Sequence, residues 1–168
     1  MASKLFDDSV DLLRKLISIS SLSKEEQQTA TVIEQFLQDR GVKTHRTVNN
    51  VWAYNKYFDS KKPTILLNSH HDTVKPNPGY SNDPLAADII DGKLFGLGSN
   101  DAGGCLVSLI AAFLHFHGQE NLKYNLCLAA TAEEEISGKN GIELVIPEFG
   151  LLEFAIVGEP TLMDLAIA

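Results

Sequence analysis

Four short stretches of the sequence place histidine or carboxylate side chains after apolar runs or beside glycines. One imidazole together with several carboxylates is a ligand set for one or two divalent metal ions, and zinc, manganese and cobalt all fit it. The residue types therefore indicate the chemistry of a divalent metal site. The stretches are His70-His71-Asp72, Asn100-Asp101, Glu133-Glu134-Glu135 and Gly158-Glu159.

The first stretch follows a short apolar run, Thr64 to Leu67, which has the content of a buried strand. In open α/β sheets, sites form at the carboxyl ends of strands. Residues two apart on extended backbone point to the same side, so His70 and Asp72 can act together. His70 could bind a metal through one ring nitrogen while Asp72 accepts a hydrogen bond from the other. The alternative interpretation is a polar turn after a strand.

Two further apolar runs end in the same way. Residues 124–131 precede the three glutamates, and residues 154–157 precede Gly158-Glu159. Helices predicted between the three strands favour βαβ crossovers and neighbouring parallel strands. Because the carboxyl ends of parallel strands meet at one edge of a sheet, we expect one crevice to be surrounded by His70, Asp72, Asp101, Glu133, Glu134, Glu135 and Glu159.

The N-terminal part of the chain is predicted to be helical. Apolar residues recur at helical spacing over residues 4–18. Ser23 with Glu26 three residues later resembles a capping box, which predicts a second helix that ends near Gly41.

Three other segments have simple interpretations. Residues 42–57 alternate around Asn49-Asn50, which predicts a β-hairpin. Residues 76–91 have the composition of a surface loop, and residues 138–146 indicate a short helix stopped by proline.

Asp101 follows a glycine-rich stretch and begins a mostly apolar helix predicted to run to about His117. The glycines lack the spacing of a phosphate-binding loop. In isolation, Asp101 would be interpreted as the N-cap of this helix. His115 and His117 lie at the far end of the helix, where its dipole favours charged histidines, and we do not expect them to bind metal.

Length and composition indicate a single globular domain. The chain has 168 residues, of which 44% are hydrophobic and 21% are charged. Its net charge of −8 argues against nucleic acid and anionic membrane surfaces as partners. The first 20 residues do not resemble a signal peptide and no apolar run reaches membrane length, so we expect a soluble, cytoplasmic protein.

Taken together, the motifs resemble those of the dinuclear-zinc amidohydrolases and exopeptidases. This family includes acetylornithine deacetylase, succinyl-diaminopimelate desuccinylase, aminoacylase and the glutamate carboxypeptidases. The resemblance implies an α/β fold, a three-layer sandwich with a largely parallel (mixed) sheet and helices on both faces. It runs from about residue 5 to the end of the chain and rests on four motifs in the family's order: HHD at 70–72, GLGSND at 96–101, AEEE at 132–135 and GEPT at 158–161.

The resemblance implies a set of metal ligands. Asp101 would bridge two zinc ions in the full-length protein, with cobalt or manganese as substitutes. His70 and Glu159 would complete the ligands of one ion, and Glu135 would bind the other. His71 stands where the family often has a small or hydroxyl residue, so two adjacent histidines are candidates for one ligand position.

Two more residues would serve catalysis without binding metal. Asp72 would orient His70, and Glu134 would take a proton from the metal-activated water and pass it to the leaving amine. Adjacent residues on extended backbone point opposite ways, so both Glu134 and Glu135 can reach the site only if the chain bends there. The resemblance further implies a cis peptide bond after Asp101.

The implied activity is hydrolysis of the amide bond of an N-acyl amino acid. The second and fourth motifs are most similar to the acetylornithine deacetylase branch, which would imply a role in arginine biosynthesis. The partner would be a small N-acyl amino acid or dipeptide, and the full-length protein could form a homodimer. A metallo-dipeptidase or carboxypeptidase of the same family is one alternative, and a non-catalytic, metal-free α/β binding domain is another.

The family's second metal also needs a histidine from near the C-terminus of a much longer chain. In the family, a small domain used for dimerisation and as a lid interrupts the catalytic domain. We therefore expect residues 1–168 to form the N-terminal part of the catalytic metal-binding domain, without the lid domain or the C-terminal part, and to be inactive alone. Residues 164–168 look like the beginning of another strand.

Overall fold

A computed structural model of the protein describes residues 2–162, apart from the side chains of Ala2 and Ser3. The strand predicted at residues 164–168 lies outside this range. The helices are α1 (Ala2–Ile17), α2 (Gln27–Gln38), α3 (Cys105–His117) and α4 (Ile142–Val145). The strands are β1 (Thr44–Thr47), β2 (Asn50–Tyr54), β3 (Thr64–His70), β4 (Asp88–Ile90), β5 (Lys93–Phe95), β6 (Asn125–Thr131) and β7 (Leu152–Val157).

Five of these strands form a mixed sheet in the order β1-β2-β6-β3-β7. β3 pairs in parallel with both β6 and β7, whereas β1–β2 and β2–β6 are antiparallel. His70 lies beside Thr131 in the register, so β3 and β6 end at the same level. The predicted neighbouring parallel strands and the predicted hairpin are both present.

Helices cover both faces of this sheet. α1, α2 and α3 contribute to the larger core, which includes Leu13, Ile33, Leu67, Ile110 and Leu128. α4 and the short helical turn Ile146–Phe149 pack on the other face in a smaller core of Trp52, Leu66, Cys127, Ala129, Val145 and Phe149. The expected α/β three-layer sandwich is confirmed.

The third helix begins later than the sequence predicts. α3 starts at Cys105, and residues Ser99–Gly104 form a π-type turn before it. Asp101 has φ −112° and ψ 101°, which is not helical. The N-cap position of α3 is Gly104, so the interpretation of Asp101 as an N-cap is wrong.

A second hairpin was missed by the sequence interpretation. Within and after the predicted loop at 76–91, β4 and β5 pair as an antiparallel hairpin around Asp91-Gly92. Both turn residues have positive φ, 50° and 74°. Asp-Gly is among the strongest short-range hairpin signals, so the local information was present in the sequence.

The predicted helix at 138–146 is correct only in part. α4 is a single turn over Ile142–Val145, and the helical turn Ile146–Phe149 contains the proline that was expected to stop the helix.

Within the described residues, no helix combines the length and apolarity needed to cross a bilayer.

Candidate metal centre

The end of β3 presents an imidazole to three carboxylates. The Nε2 atom of His70 is 3.1 Å from Asp101 Oδ1, 3.7 Å from Glu134 Oε2 and 3.8 Å from Glu159 Oε2. One ligand atom each from His70, Asp101 and Glu159 lies within 4.8 Å of the others. We call His70, Asp101, Glu134 and Glu159 the acidic cluster. Its spacing fits a divalent cation held between the ring and the carboxylates.

The opposite ring nitrogen of His70 is held by Asp72. Nδ1 donates to the Asp72 backbone oxygen at 3.1 Å and lies 3.4 Å from its Oδ1. This contact places the proton on Nδ1 and leaves Nε2 facing the acidic cluster. Burial of the ring lowers its pKa, but the hydrogen bond to Asp72 and the nearby carboxylate charges outweigh burial and raise the pKa of His70 to about 9.

The Asp72 carboxylate accepts hydrogen bonds from two further segments. Ser23 Oγ donates to it at 2.7 Å, and the backbone N–H groups of Glu134 and Glu135 donate at 3.0 and 3.2 Å. Burial raises the pKa of Asp72, but the hydrogen bonds from His70, Ser23 and Glu134 outweigh it and hold the pKa below its ordinary value. Asp72 thus joins β3 to the acidic turn after β6.

That turn provides the bend that two adjacent glutamates require. After β6, Glu133 has φ 54°, residues Glu134–Ile136 form a short 3₁₀ turn, and Ser137 has φ 48°. The chain leaves strand geometry at once. The Glu134 side chain therefore lies near His70, and Glu135 is the next residue of the same turn.

Like charges crowd around the site. Burial raises the pKa of Glu135, and the charge of Asp101 raises it further. Burial also raises the pKa of Glu159, with Glu134 and Asp101 adding to it against the opposing effect of His70. Carboxylates that repel one another favour a bound cation, which would relieve that repulsion. The donor set of one imidazole and several carboxylate oxygens fits zinc, manganese or cobalt.

The loop that carries Asp101 needs glycine to pass close to its neighbours. Gly98 has φ 74°, and a Cβ there would meet the Thr73 side chain at 2.8 Å. A Cβ on Gly103 would meet the Gly98 oxygen at 2.5 Å. The peptide bond after Asp101 is cis, as the resemblance implies.

His71 has a different environment from its neighbour. Its Nε2 donates to the Asn49 backbone oxygen at 2.9 Å, and its Nδ1 lies 2.9 Å from Thr29 Oγ1. The ring is buried, and burial is the main reason why its pKa is lowered. Both nitrogens already have protein partners, so of the two adjacent histidines only His70 offers a ligand atom to the cluster.

The capping box predicted for Ser23 and Glu26 is absent. Ser23 and Glu26 do not form a capping box, because α2 begins at Gln27 and Glu26 makes no capping hydrogen bond. Ser23 donates to Asp72 instead, and Glu26 is buried among other polar groups. Residue type and spacing match a capping box in either case, so no local signal separates the two arrangements.

Glu135 lies outside the closest group of potential ligands. Among the described residues, that group consists of His70, Asp101 and Glu159, whose ligand atoms lie within 4.8 Å of one another. The structure thus brings His70, Asp101 and Glu159 together, with Glu134 beside them and Asp72 behind His70. Glu135 lies on the neighbouring turn with its carboxyl influenced by the charge of Asp101.

Sequence comparison identifies the class of protein that has this site. The model of peptidase family M20/M25/M40 matches residues 66–168. The chain therefore belongs to this family of metallohydrolases.

Curated relatives match nearly the whole chain. It is 33% identical over 163 residues to the succinyl-diaminopimelate desuccinylase of Buchnera aphidicola subsp. Cinara cedri, covering 90% of this chain and 42% of the relative. It is 31% identical over 162 residues to the enzyme of the same name from Acidiphilium cryptum, covering 92% and 42%. The chain thus spans less than half the length of these relatives.

Solved structures show the same fold. An M20 family metallo-carboxypeptidase from Sulfolobus solfataricus aligns with a TM-score of 0.73 at 21% identity, covering 89% of this chain and 37% of that one. A dinuclear metal binding peptidase of the M20 family from Bacillus subtilis aligns with a TM-score of 0.70 at 18% identity, covering 92% and 43%.

Proposed function

We propose that this chain is the N-terminal, metal-binding part of an amidohydrolase that cleaves the amide bond of an N-acyl amino acid. The observation that carries the proposal is the position of His70. One of its ring nitrogens is held by Asp72, and the other faces the carboxylates of Asp101, Glu134 and Glu159 within 3.8 Å. Membership of the M20/M25/M40 family supports a hydrolytic reaction.

His70, Asp101 and Glu159 would hold one divalent ion, and Asp101 with Glu135 would contribute to the second. Zinc is the proposed metal, with cobalt or manganese as substitutes. When bound, the metal ions would lower the pKa of a water molecule and polarise the scissile carbonyl. Asp72 supports the first position, because it fixes the orientation of the His70 ring.

Glu134 is the proposed general base. Its carboxylate oxygen lies 3.7 Å from His70 Nε2, and its side chain is 52% exposed, so it borders the site and remains accessible to substrate. Its backbone N–H is held by Asp72, which fixes the root of the side chain. Glu134 would take a proton from the attacking water and deliver it to the amine as the amide bond breaks.

Two acyl groups are candidates. The motifs at 96–101 and 158–161 are most similar to those of the acetylornithine deacetylase branch, which favours N-acetylornithine and a role in arginine biosynthesis. The curated relatives are named succinyl-diaminopimelate desuccinylases, which favours an N-succinyl amino acid. In both substrates the bond to be cleaved is an amide between an acyl group and an amine. We place the reaction in the cytoplasm.

The test uses a longer protein that contains this chain and the rest of the relatives' length. The metal is removed with a chelator, zinc, cobalt or manganese is added back, and N-acetylornithine, N-succinyl-diaminopimelate and a set of dipeptides are assayed. We expect metal-dependent hydrolysis of an N-acyl amino acid. Cleavage of dipeptides alone would favour the peptidase alternative, and a protein without metal or hydrolysis would favour a binding domain.

The 168-residue chain provides a second test. We expect it to bind one divalent ion and to hydrolyse neither N-acyl substrate at a useful rate. His70→Ala should abolish metal binding in equilibrium dialysis. The matched control is His115→Ala, at an exposed histidine near the end of α3, which should bind metal like the unmodified chain.

A further inference from the structure

Glu26 is a fully buried carboxylate that the proposed chemistry does not use. A buried carboxylate is costly unless hydrogen-bond donors surround it. Its Oε1 accepts from the backbone N–H of Lys24 at 2.7 Å and of Glu133 at 3.2 Å, and its Oε2 accepts from Asn49 Nδ2 at 2.8 Å. Glu26 therefore joins the start of α2 to the turn before β2 and to the end of β6.

Three consecutive backbone N–H groups after β6 donate to buried carboxylates. Glu133 donates to Glu26, while Glu134 and Glu135 donate to Asp72. Both acceptors are completely buried and belong to segments far from the turn along the chain. The path of the turn is therefore set by tertiary contacts and not by its own sequence alone.

Glu133 has a backbone conformation that needs such support. Its φ of 54° and ψ of 22° lie in the left-handed region of backbone conformation, which residues other than glycine rarely adopt. Such conformations persist only where the surroundings enforce them. The direction in which Glu134 leaves the backbone depends on this residue, because Glu134 is the next in the chain.

We propose that Glu26 is a positioning residue for Glu134 and acts through the backbone N–H of Glu133. This inference rests on the proposed function, in which Glu134 is the general base. Glu26 lies outside the acidic cluster and acts by holding the turn that aims Glu134 toward the site. A displacement of about 1 Å at a catalytic group can reduce the rate roughly 100-fold.

The experiment compares variants of the longer, metal-loaded protein. Glu26→Leu removes all three acceptor contacts, and Glu26→Asp keeps the charge but shortens the reach toward Glu133. We expect both to lower kcat roughly 10- to 100-fold with a KM change below about threefold and an unchanged metal content. Glu26→Gln keeps an oxygen that can accept from Glu133 and should retain most of kcat. If Glu26→Leu does not fold, the kcat of Glu26→Asp tests whether Glu26 positions Glu134.

Asn49→Ala is the matched control. It removes the side-chain donor to the same buried carboxylate, but it leaves the contact between Glu26 and the backbone N–H of Glu133 in place. We expect Asn49→Ala to lower the melting temperature with little change in kcat. If Glu26 had only a structural role, Glu26→Asp and Asn49→Ala would both lower the melting temperature and both leave kcat unchanged, which would overturn the proposal.

Hydrogen exchange at the Glu133 amide separates this inference from the proposed function. The amide should lose protection in Glu26→Asp and keep it in Asn49→Ala. Unchanged protection in Glu26→Asp would overturn the positioning role, whatever the activity. A protein in which protection falls as expected but no amide substrate is hydrolysed would instead contradict the proposed function.

Discussion

Two neighbouring regions of the molecule combine histidine with carboxylates but use them in opposite ways. In the acidic cluster, His70 Nε2 faces Asp101, Glu134 and Glu159, whose side chains are 56%, 52% and 34% exposed. The second region, which we call the buried polar network, consists of Glu26, Thr29, Asn49, His71 and Glu133, all of them buried.

The two regions differ in how far their polar atoms are committed to protein partners. In the buried polar network, both nitrogens of His71 and both carboxylate oxygens of Glu26 have partners. In the acidic cluster, carboxylates face one another and one imidazole nitrogen. The same residue types therefore stabilise the fold in one place and offer ligand atoms in the other. Four predictions test this contrast, in order of decreasing effect.

The largest effect is expected for Asp101→Ala in the longer protein. Asp101 Oδ1 is 3.1 Å from His70 Nε2, and Asp101 is the proposed bridge between the ions. The variant should lose both metal ions and nearly all activity, as measured by elemental analysis and kcat. Asp88→Ala, at an exposed carboxylate of β4, is the control and should retain both. A full metal content and rate in Asp101→Ala would show that the bridging assignment is wrong.

The next prediction compares three consecutive glutamates: Glu133 of the buried polar network, Glu134 of the acidic cluster, and Glu135, which follows on the same turn. Glu134→Gln should keep its metal but lose roughly 10²- to 10⁴-fold in kcat, because the amide cannot act as a base. Glu133→Gln should keep most of kcat but unfold more easily, since its carboxylate accepts from Asn140 inside the fold. Glu135→Gln should weaken metal binding. If Glu134→Gln lost metal and Glu135→Gln lost only rate, the two roles would be exchanged.

The two adjacent histidines are expected to differ in the same way. His71→Ala removes the ring that donates to the Asn49 carbonyl oxygen and leaves a cavity, while the Thr29 hydroxyl keeps only the Glu26 backbone oxygen as a partner. The variant should lower the free energy of unfolding by about 2–4 kcal/mol. It should leave metal binding to the 168-residue chain unchanged, whereas His70→Ala should abolish it. Urea unfolding and equilibrium dialysis measure the two effects. Loss of metal from His71→Ala in a folded protein would contradict the division between the regions.

The smallest effect is a pH dependence of opposite sign at the two histidines in the metal-free chain. Burial keeps the pKa of His71 below its ordinary value, so below about pH 6.5 the unfolded chain gains a proton that the folded chain does not. Stability should therefore fall as the solution is acidified, by at most about 1.4 kcal/mol per pH unit from this residue.

The pKa of His70 is raised to about 9 in the folded chain, so this residue stabilises the folded chain fully below about pH 6.5. That stabilisation should be lost as the pH rises through about 9. Urea unfolding between pH 5 and 10 measures both effects. His71→Ala should remove the decline on the acid side, and His70→Ala the decline on the alkaline side. Identical pH profiles for the two variants would contradict the assigned environments.

Much of the fold could be predicted from the sequence because its signals are local. The apolar runs that became β3, β6 and β7 are buried strands, and the helices between them favour parallel pairing. The β4–β5 hairpin also has a local signal at Asp91-Gly92, and it was missed because the surrounding segment has a loop composition. The start of α3 could not be predicted, because Asp101 leaves helical geometry at a turn packed against residues distant in sequence.

The sequence by itself determined which chemical groups the site has, and that they follow strands whose carboxyl ends meet. Periodicity and motif order are sufficient for this, since both are properties of neighbouring residues. Only the tertiary structure decided that His70 and not His71 faces the carboxylates. It also decided that Ser23 and Glu26 bond to Asp72 and Glu133, which lie 49 and 107 residues away in the chain. Hydrogen-bond partners compete across the folded chain, and burial decides which polar atoms remain free to bind a ligand.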